Sequence, residues 1–172
     1  MQKLFIGLFM LMLAASSCNN NVDSNNNNLT DSAEGTVFNG KWTYRSLFNK
    51  TDWKIDFDSV AFAAAVLELK SSGKDSLTGT LLWQLTPPLQ GLNITGNYYK
   101  NGSVTCYSLT GLGDSALSTA GWQYNYQGYL VPNWQQGVNQ ATVLVGSVVR
   151  SKPHNGQPAG LVASTYMVKV NK

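Results

Sequence analysis

Few side chains in this sequence form a pattern that would support catalysis. His154, in the segment "PHNG", is the only histidine. As a general base it would need a partner that orients its ring, and the candidate carboxylates are Asp52, Asp56, Asp58 and Asp114. Because turn-forming residues flank it on both sides, the sequence favours a solvated turn residue over a catalytic base.

Cysteine and metal chemistry have equally little support. Cys106 lies in "SVTCYS" without a basic neighbour in sequence, which predicts a small buried residue and not an activated thiol. A metal site would need more ligands than His154 and Cys106. The segment "DWKIDFD" lacks the glycine and the terminal glutamate of a calcium-binding EF-hand loop. We therefore predict no metal and no cofactor.

The aromatic side chains are the strongest candidates for a binding role. The stretch "GWQYNYQGYLVPNW", residues 121–134, contains two tryptophans and three tyrosines. Buried indole N–H and phenol O–H groups need hydrogen-bond partners, so several such rings together favour an apolar pocket with a few polar groups. For any single ring, packing in the core is the simpler alternative. The candidates expected to face inward are Trp42, Tyr44, Trp83, Trp122, Tyr124 and Tyr126.

The elements that must position these rings are short β-strands. Val, Thr, Tyr and Trp are frequent, and glycine-rich or proline-containing turns such as "SSGKDS" and "KPHNGQPAG" separate the runs. The second run, "VAFAAAVLELK", suits a helix as well as a strand. The eight predicted strands cover 38–46, 60–70, 77–84, 89–98, 103–110, 121–131, 140–150 and 160–170.

Alternation along the strands predicts one aromatic face and one polar face. In "FNGKWTYRS" the aromatic residues share a face, and in "GWQYNYQ" the same pattern recurs. Gly128 is a candidate for a β-bulge, after which Tyr129 and Val131 would rejoin the aromatic face. Strands 140–150 and 160–170 are apolar on both faces, which suggests that a partner subunit covers their outer side.

Eight strands with inward rings predict an all-β, single antiparallel eight-stranded up-and-down barrel. A closed sheet leaves no unpaired edge, and a barrel of this size is either filled by side chains or holds one small ligand. A β-sandwich is the alternative, because strand number and alternation do not separate the two folds.

Three short segments resemble the avidins and the lipocalin-like barrels (the calycins). "GKWT", residues 40–43, is similar to the first avidin strand, "LTGT" to the second, and "LVASTYMVKV" to the last. The resemblance implies a ligand-binding barrel. Avidins follow Gly-x-Trp-Thr with an asparagine that binds biotin, whereas this chain has Tyr44. The resemblance therefore does not extend to biotin.

The N-terminus resembles a bacterial lipoprotein signal. Lys3 precedes ten apolar residues, and Ala15-Ser16-Ser17-Cys18 matches the lipobox. The resemblance implies that the signal peptide, residues 1–17, is removed and that Cys18 is lipidated. Because Asn19 is not aspartate, it also implies an exported protein held in the cell envelope at the outer membrane.

The remaining chain divides into a tether and one domain. Residues 18–35 are rich in asparagine and poor in apolar side chains, which predicts a flexible tether. Residues 36–172 are long enough for one β-barrel domain with a real core. The net charge is +3 without any block of Lys or Arg, so no nucleic-acid partner is predicted.

These observations lead to three hypotheses on function. The first is a non-catalytic lipoprotein whose barrel binds a small, partly apolar ligand. The second is a structural or protein-interaction module of the cell envelope, with a homo-oligomer as one form. The third, and the least supported, is a barrel enzyme that uses His154.

Overall fold

The computed structural model describes residues 35–52 and 54–170. Within this part of the chain, eight antiparallel strands form one closed barrel. The prediction of an up-and-down barrel is thereby confirmed over the sandwich. The predicted signal peptide, Cys18 and nearly all of the predicted tether lie outside the described residues.

Each strand pairs with its neighbour in sequence, and β8 closes the sheet against β1. Phe57–Val60 and Ser115–Leu117 form short 3-10 turns in two of the connections. The second segment, which suited a helix equally well, is a strand. The strands are β1 (Gly40–Phe48), β2 (Ala61–Ser72), β3 (Ser76–Gln84), β4 (Gln90–Asn101), β5 (Val104–Leu112), β6 (Gln123–Leu130), β7 (Val143–Arg150) and β8 (Val162–Lys169).

One end of the barrel is filled by side chains; we call it the closed end. Trp42 is fully buried there, and its indole Nε1 donates a hydrogen bond to the carbonyl of Phe38 at 3.0 Å. The Phe38 ring stacks on Tyr98, with 5.3 Å between ring centroids. Each large apolar side chain buried in this way contributes about 1.5–3 kcal/mol to folding. The start of β1 therefore lies at the closed end.

Two glycines in the barrel wall make room for a tyrosine. A Cβ atom at Gly128 or Gly146 would lie within 2.7 Å of the Tyr107 hydroxyl oxygen. Gly128 pairs in regular register with Gly146, so the predicted bulge at Gly128 is wrong. Tyr129 does not rejoin the inner face; its side chain points outward and is exposed.

The bulges lie elsewhere, in β2 and β3. Ser46 pairs with Ala63 and Leu47 with Ala61, which leaves Phe62 as the extra residue of β2. In β3, Trp83 is likewise the extra residue, since the pairing with β4 shifts between Leu82 and Gln84. A bulge changes the direction of its side chain. Both bulges occur at the end opposite the closed end.

The described part of the chain contains no helix that is long and apolar enough to cross a membrane.

Candidate functional site

A cavity of about 460 Å³ occupies the end of the barrel opposite the closed end. We call this end the mouth and the space the mouth cavity. Its floor is formed by Tyr44 and Tyr126, whose rings meet edge to face at a centroid distance of 6.2 Å. Beneath this floor lies a void of about 10 Å³. The barrel is thus filled in one half and open in the other.

Five of the six aromatic residues singled out from the sequence line the mouth cavity. They are Tyr44, Trp83, Trp122, Tyr124 and Tyr126. The sixth, Trp42, faces inward as expected but does not line the cavity. It lies near the start of β1, so the same inward direction places its ring in the closed end.

Three rings form a continuous stack on one wall of the mouth cavity. The ring centroids of Trp122 and His154 are 3.8 Å apart, with planes inclined by 13°. Trp83 continues the stack on Trp122 at 5.8 Å and 14°. A hydrogen bond from Trp83 Nε1 to Gln90 Oε1, 3.1 Å long, fixes the outer ring. The stack gives the cavity a flat, apolar wall.

His154 is placed by a tight hairpin in the β7–β8 connection. Its backbone exchanges two hydrogen bonds with Gln157, and Asn155 and Gly156 between them have φ angles of 49° and 71°. Asn-Gly is the preferred pair for such a left-handed turn. The predicted turn is confirmed, and the histidine in it is only partly solvated. The hairpin folds over the mouth, so the imidazole is half-buried against Trp122.

A chain of hydrogen bonds connects His154 to the inner wall of β7. The Tyr124 hydroxyl lies 2.7 Å from His154 Nε2, and Arg150 Nε donates to the same hydroxyl at 3.4 Å. Arg150 Nη1 also donates to the carbonyl of Pro158 at 3.1 Å. These contacts hold the β7–β8 connection against the barrel.

The protonation of His154 follows from its surroundings. Because Arg150 can only donate, the Tyr124 oxygen accepts its hydrogen bond. Burial, and next the nearby charge of Arg150, lower the pKa of His154 below its ordinary value of 6.5. The imidazole is neutral at neutral pH.

Tyr44 and Tyr126, which form the floor of the cavity, are also neutral. Burial raises the pKa of Tyr44 well above its ordinary value of 10.0, and the hydroxyl of Ser46 opposes this shift. Burial raises the pKa of Tyr126 in the same direction. Among the described residues that line the mouth cavity, Arg150 is thus the only one charged at neutral pH.

Sequence reasoning missed Arg150 and Phe62. Arg150 follows Leu144, Gly146 and Val148 at every second position of β7, which is the spacing of the inward residues. This alternation could have identified it from the sequence. Phe62 carried no such signal, because its position depends on the β2 bulge. Its ring lies 5.9 Å from the Arg150 guanidinium carbon.

The acidic residues proposed as partners of His154 do not contact it. His154 Nε2 is bound to Tyr124, and Nδ1 has no hydrogen-bond partner among the described residues. Asp52 and Asp56 accept local backbone hydrogen bonds, and Asp114 accepts from Ala116 N and Asn93 Nδ2. No hydrogen bond connects any of these carboxylates, or Asp58, to the mouth cavity.

Cys106 lies on the outer wall of the barrel. It is unpaired and only partly buried, so the prediction that it is a small buried residue is wrong. On β5 the inward positions belong to its neighbours Thr105 and Tyr107. In the described part of the chain, no cluster of three His, Cys, Asp or Glu side chains is arranged to hold a metal ion.

Comparison with known proteins finds no family model that matches the chain. No curated protein and no solved structure matches it either.

Proposed function

We propose that this protein binds a small, partly apolar molecule in the mouth cavity and does not catalyse a reaction. The observation that supports the proposal is the uneven filling of the barrel. Side chains close one half down to a void of about 10 Å³, while about 460 Å³ stays open in the other. Cavities that hold small ligands typically measure about 300–1,000 Å³.

The lining of the mouth cavity indicates the kind of ligand. The Trp83–Trp122–His154 stack offers a flat wall, and Leu81 and Leu92 add apolar surface. Polar side chains come from β6, β7 and the β7–β8 hairpin, where Tyr124 bonds to His154 and Arg150 lines the cavity. An apolar wall with a few convergent polar groups suits a molecule that has a ring system and one polar end.

A fluorescent probe tests this proposal directly. N-phenyl-1-naphthylamine is neutral and apolar, and its emission rises when it leaves water. We expect saturable binding by the protein. Trp122→Ala should weaken that binding about tenfold, because it removes the central ring of the stack. Trp134→Ala is the matched control, since Trp134 is 81% exposed and does not line the mouth cavity.

The two variants separate a pocket from adhesion to the surface. Circular dichroism melts would show that both remain folded. Equal binding by both variants, or loss of binding with Trp134→Ala alone, would contradict the proposal. No binding of any apolar probe to the wild-type protein would also contradict it.

We also propose that the protein is a lipoprotein anchored through Cys18 to the outer membrane. The lipobox-like Ala15-Ser16-Ser17-Cys18 supports the anchor. The chain enters the barrel at the closed end, where Lys169 Nζ binds the carbonyl of Val37 at 2.7 Å. With an anchor at Cys18, the mouth is then at the end of the barrel away from the tether, where a ligand can reach it.

Detergent partitioning tests the anchor. In a bacterial host, we expect the wild-type protein to enter the detergent phase of Triton X-114, and Cys18→Ser to stay in the aqueous phase. Cys106→Ser is the matched control and should partition like the wild type, since the outer-wall Cys106 is not in the lipobox. Aqueous partitioning of the wild-type protein would contradict the anchor.

A protein-interaction role is the second candidate, and the outer wall of the barrel favours it. Tyr99 pairs with Cys106, Cys106 with Tyr129, Tyr129 with Val145 and Val145 with Tyr166, which forms one row across β4–β8. All three tyrosines are between 45% and 48% exposed. Light scattering across a hundredfold concentration range would test self-association. A monomer throughout would count against a homo-oligomer.

A further inference from the structure

The mouth cavity contains a buried positive charge whose contacts are all neutral. The Arg150 side chain belongs to a residue that is only 5% exposed. Its contacts are the Tyr124 hydroxyl, the Pro158 carbonyl and the face of the Phe62 ring. None of these carries a negative charge.

No carboxylate of the described residues balances this charge. An ion pair joins Lys70 to Glu68 on the outer wall, at 3.9 Å, and none of the salt bridges found among the described residues involves Arg150. A buried charge without a counter-ion is unfavourable. The only other arginine, Arg45, is exposed on the outer face of β1, where water solvates the charge.

The guanidinium has donors left for a ligand. Its five N–H groups form two hydrogen bonds, one from Nε and one from Nη1. Nη2 has no hydrogen-bond partner among the residues that the structure describes. An arginine that lines a cavity with free N–H groups is suited to a carboxylate, whose two oxygens match its geometry.

Building on the ligand-binding function proposed above, we propose that the mouth cavity selects a molecule with one carboxylate on an apolar, ring-containing body, and that Arg150 pairs with this carboxylate. The body lies along the Trp83–Trp122 stack, which borders the same cavity. One ligand charge neutralises one protein charge. A phosphate monoester, with about two charges at neutral pH, would leave an excess negative charge in an apolar site.

A set of matched probes tests the charge preference. 2-Naphthylacetate and 2-naphthylacetamide share the same ring system and differ in charge, and 2-naphthyl phosphate carries more charge. Quenching of tryptophan emission measures their binding. For the wild-type protein we expect the carboxylate to bind about ten- to a hundredfold more tightly than the amide, as a charged hydrogen bond in a buried site provides.

Three arginine variants show which residue is responsible for the preference for a charged ligand. Arg150→Gln should remove the preference for the carboxylate, so that 2-naphthylacetate and 2-naphthylacetamide bind the variant with similar affinity. Arg45→Gln removes the same charge from the outer wall and should change neither affinity. Arg150→Lys keeps the charge and should retain part of the preference. Thermal melts of each variant show that it is folded.

The outcomes separate the two proposals. If the amide or the phosphate binds wild-type protein as tightly as the carboxylate, the inference about Arg150 is overturned and the pocket stands. The same holds if Arg150→Gln keeps the full preference, or if N-phenyl-1-naphthylamine binds and the carboxylate does not. If no probe binds, the proposed function fails, and the inference fails with it.

Discussion

Replacing Tyr124 by phenylalanine is expected to loosen the β7–β8 hairpin from the mouth. The hydroxyl of Tyr124 is the single atom that connects Arg150 to His154, through hydrogen bonds of 3.4 Å and 2.7 Å. The variant keeps the ring and its packing. It removes only the hydroxyl, so any effect reports on the hydrogen bonds.

The size of the effect follows from the two contacts. Leaving a buried polar group without its partner costs about 1–3 kcal/mol. The bond to Arg150 is long, and His154 is half-exposed, so water replaces part of what is lost. We therefore expect a loss of about 1–2 kcal/mol in the free energy of unfolding, near the lower end of that range. For a domain of this size, the melting temperature falls by about 3–8 °C.

Urea denaturation of Tyr124→Phe beside Tyr166→Phe measures this loss. Tyr166 is 48% exposed on the outer wall, so its change should stay within about 0.5 kcal/mol. Equal unfolding midpoints for the two variants would refute the reasoning, because the hydrogen bonds of the Tyr124 hydroxyl would then contribute nothing to the free energy of unfolding.

Four further expectations concern packing and protonation. Gly146→Ala should cost about 1–3 kcal/mol, because its Cβ overlaps a backbone carbonyl of the neighbouring strand, whereas Ser147→Ala should be near neutral in the same urea titration. Trp42→Ala should cost about 3–5 kcal/mol, and a loss below 1 kcal/mol in a thermal melt would contradict its role in the closed end. The pKa of His154 is lowered in the folded protein, so the unfolded chain takes up the proton first. The free energy of unfolding should therefore be independent of His154 protonation above pH 6.5 and should decline as the pH falls below it. His154→Gln should reduce this decline. NMR titration of the single histidine should show a higher pKa in Arg150→Gln, since the neighbouring charge is gone.

The order of the strands could be predicted because short sequence patterns mark the individual strands and turns. Alternation of aromatic and polar residues marked β1 and β6, and the Asn155-Gly156 pair marked the turn after β7. The predicted boundaries differ by a few residues. Strand β7, for example, begins at Val143 and not at 140, because pairing with neighbouring strands decides where a ladder starts.

The mouth cavity was predictable only in part. Alternation placed Tyr44 and Tyr126 inside, but it did not say how far along the barrel each ring lies, and Trp42 was misplaced for this reason. The bulge at Phe62 depends on the register with β1, which no local pattern records. The approach of His154 to Trp122 depends on the packing of the whole hairpin.

The most direct test of ligand binding in the mouth cavity is an NMR titration of the ¹⁵N-labelled protein with N-phenyl-1-naphthylamine. Tryptophan indole N–H groups give separate signals. The account predicts that the signals of Trp83 and Trp122, on the cavity wall, shift in a saturable way. Those of Trp42 in the closed end and of the exposed Trp134 should stay in place. Shifts confined to Trp134, or no shift of any indole signal, would contradict it.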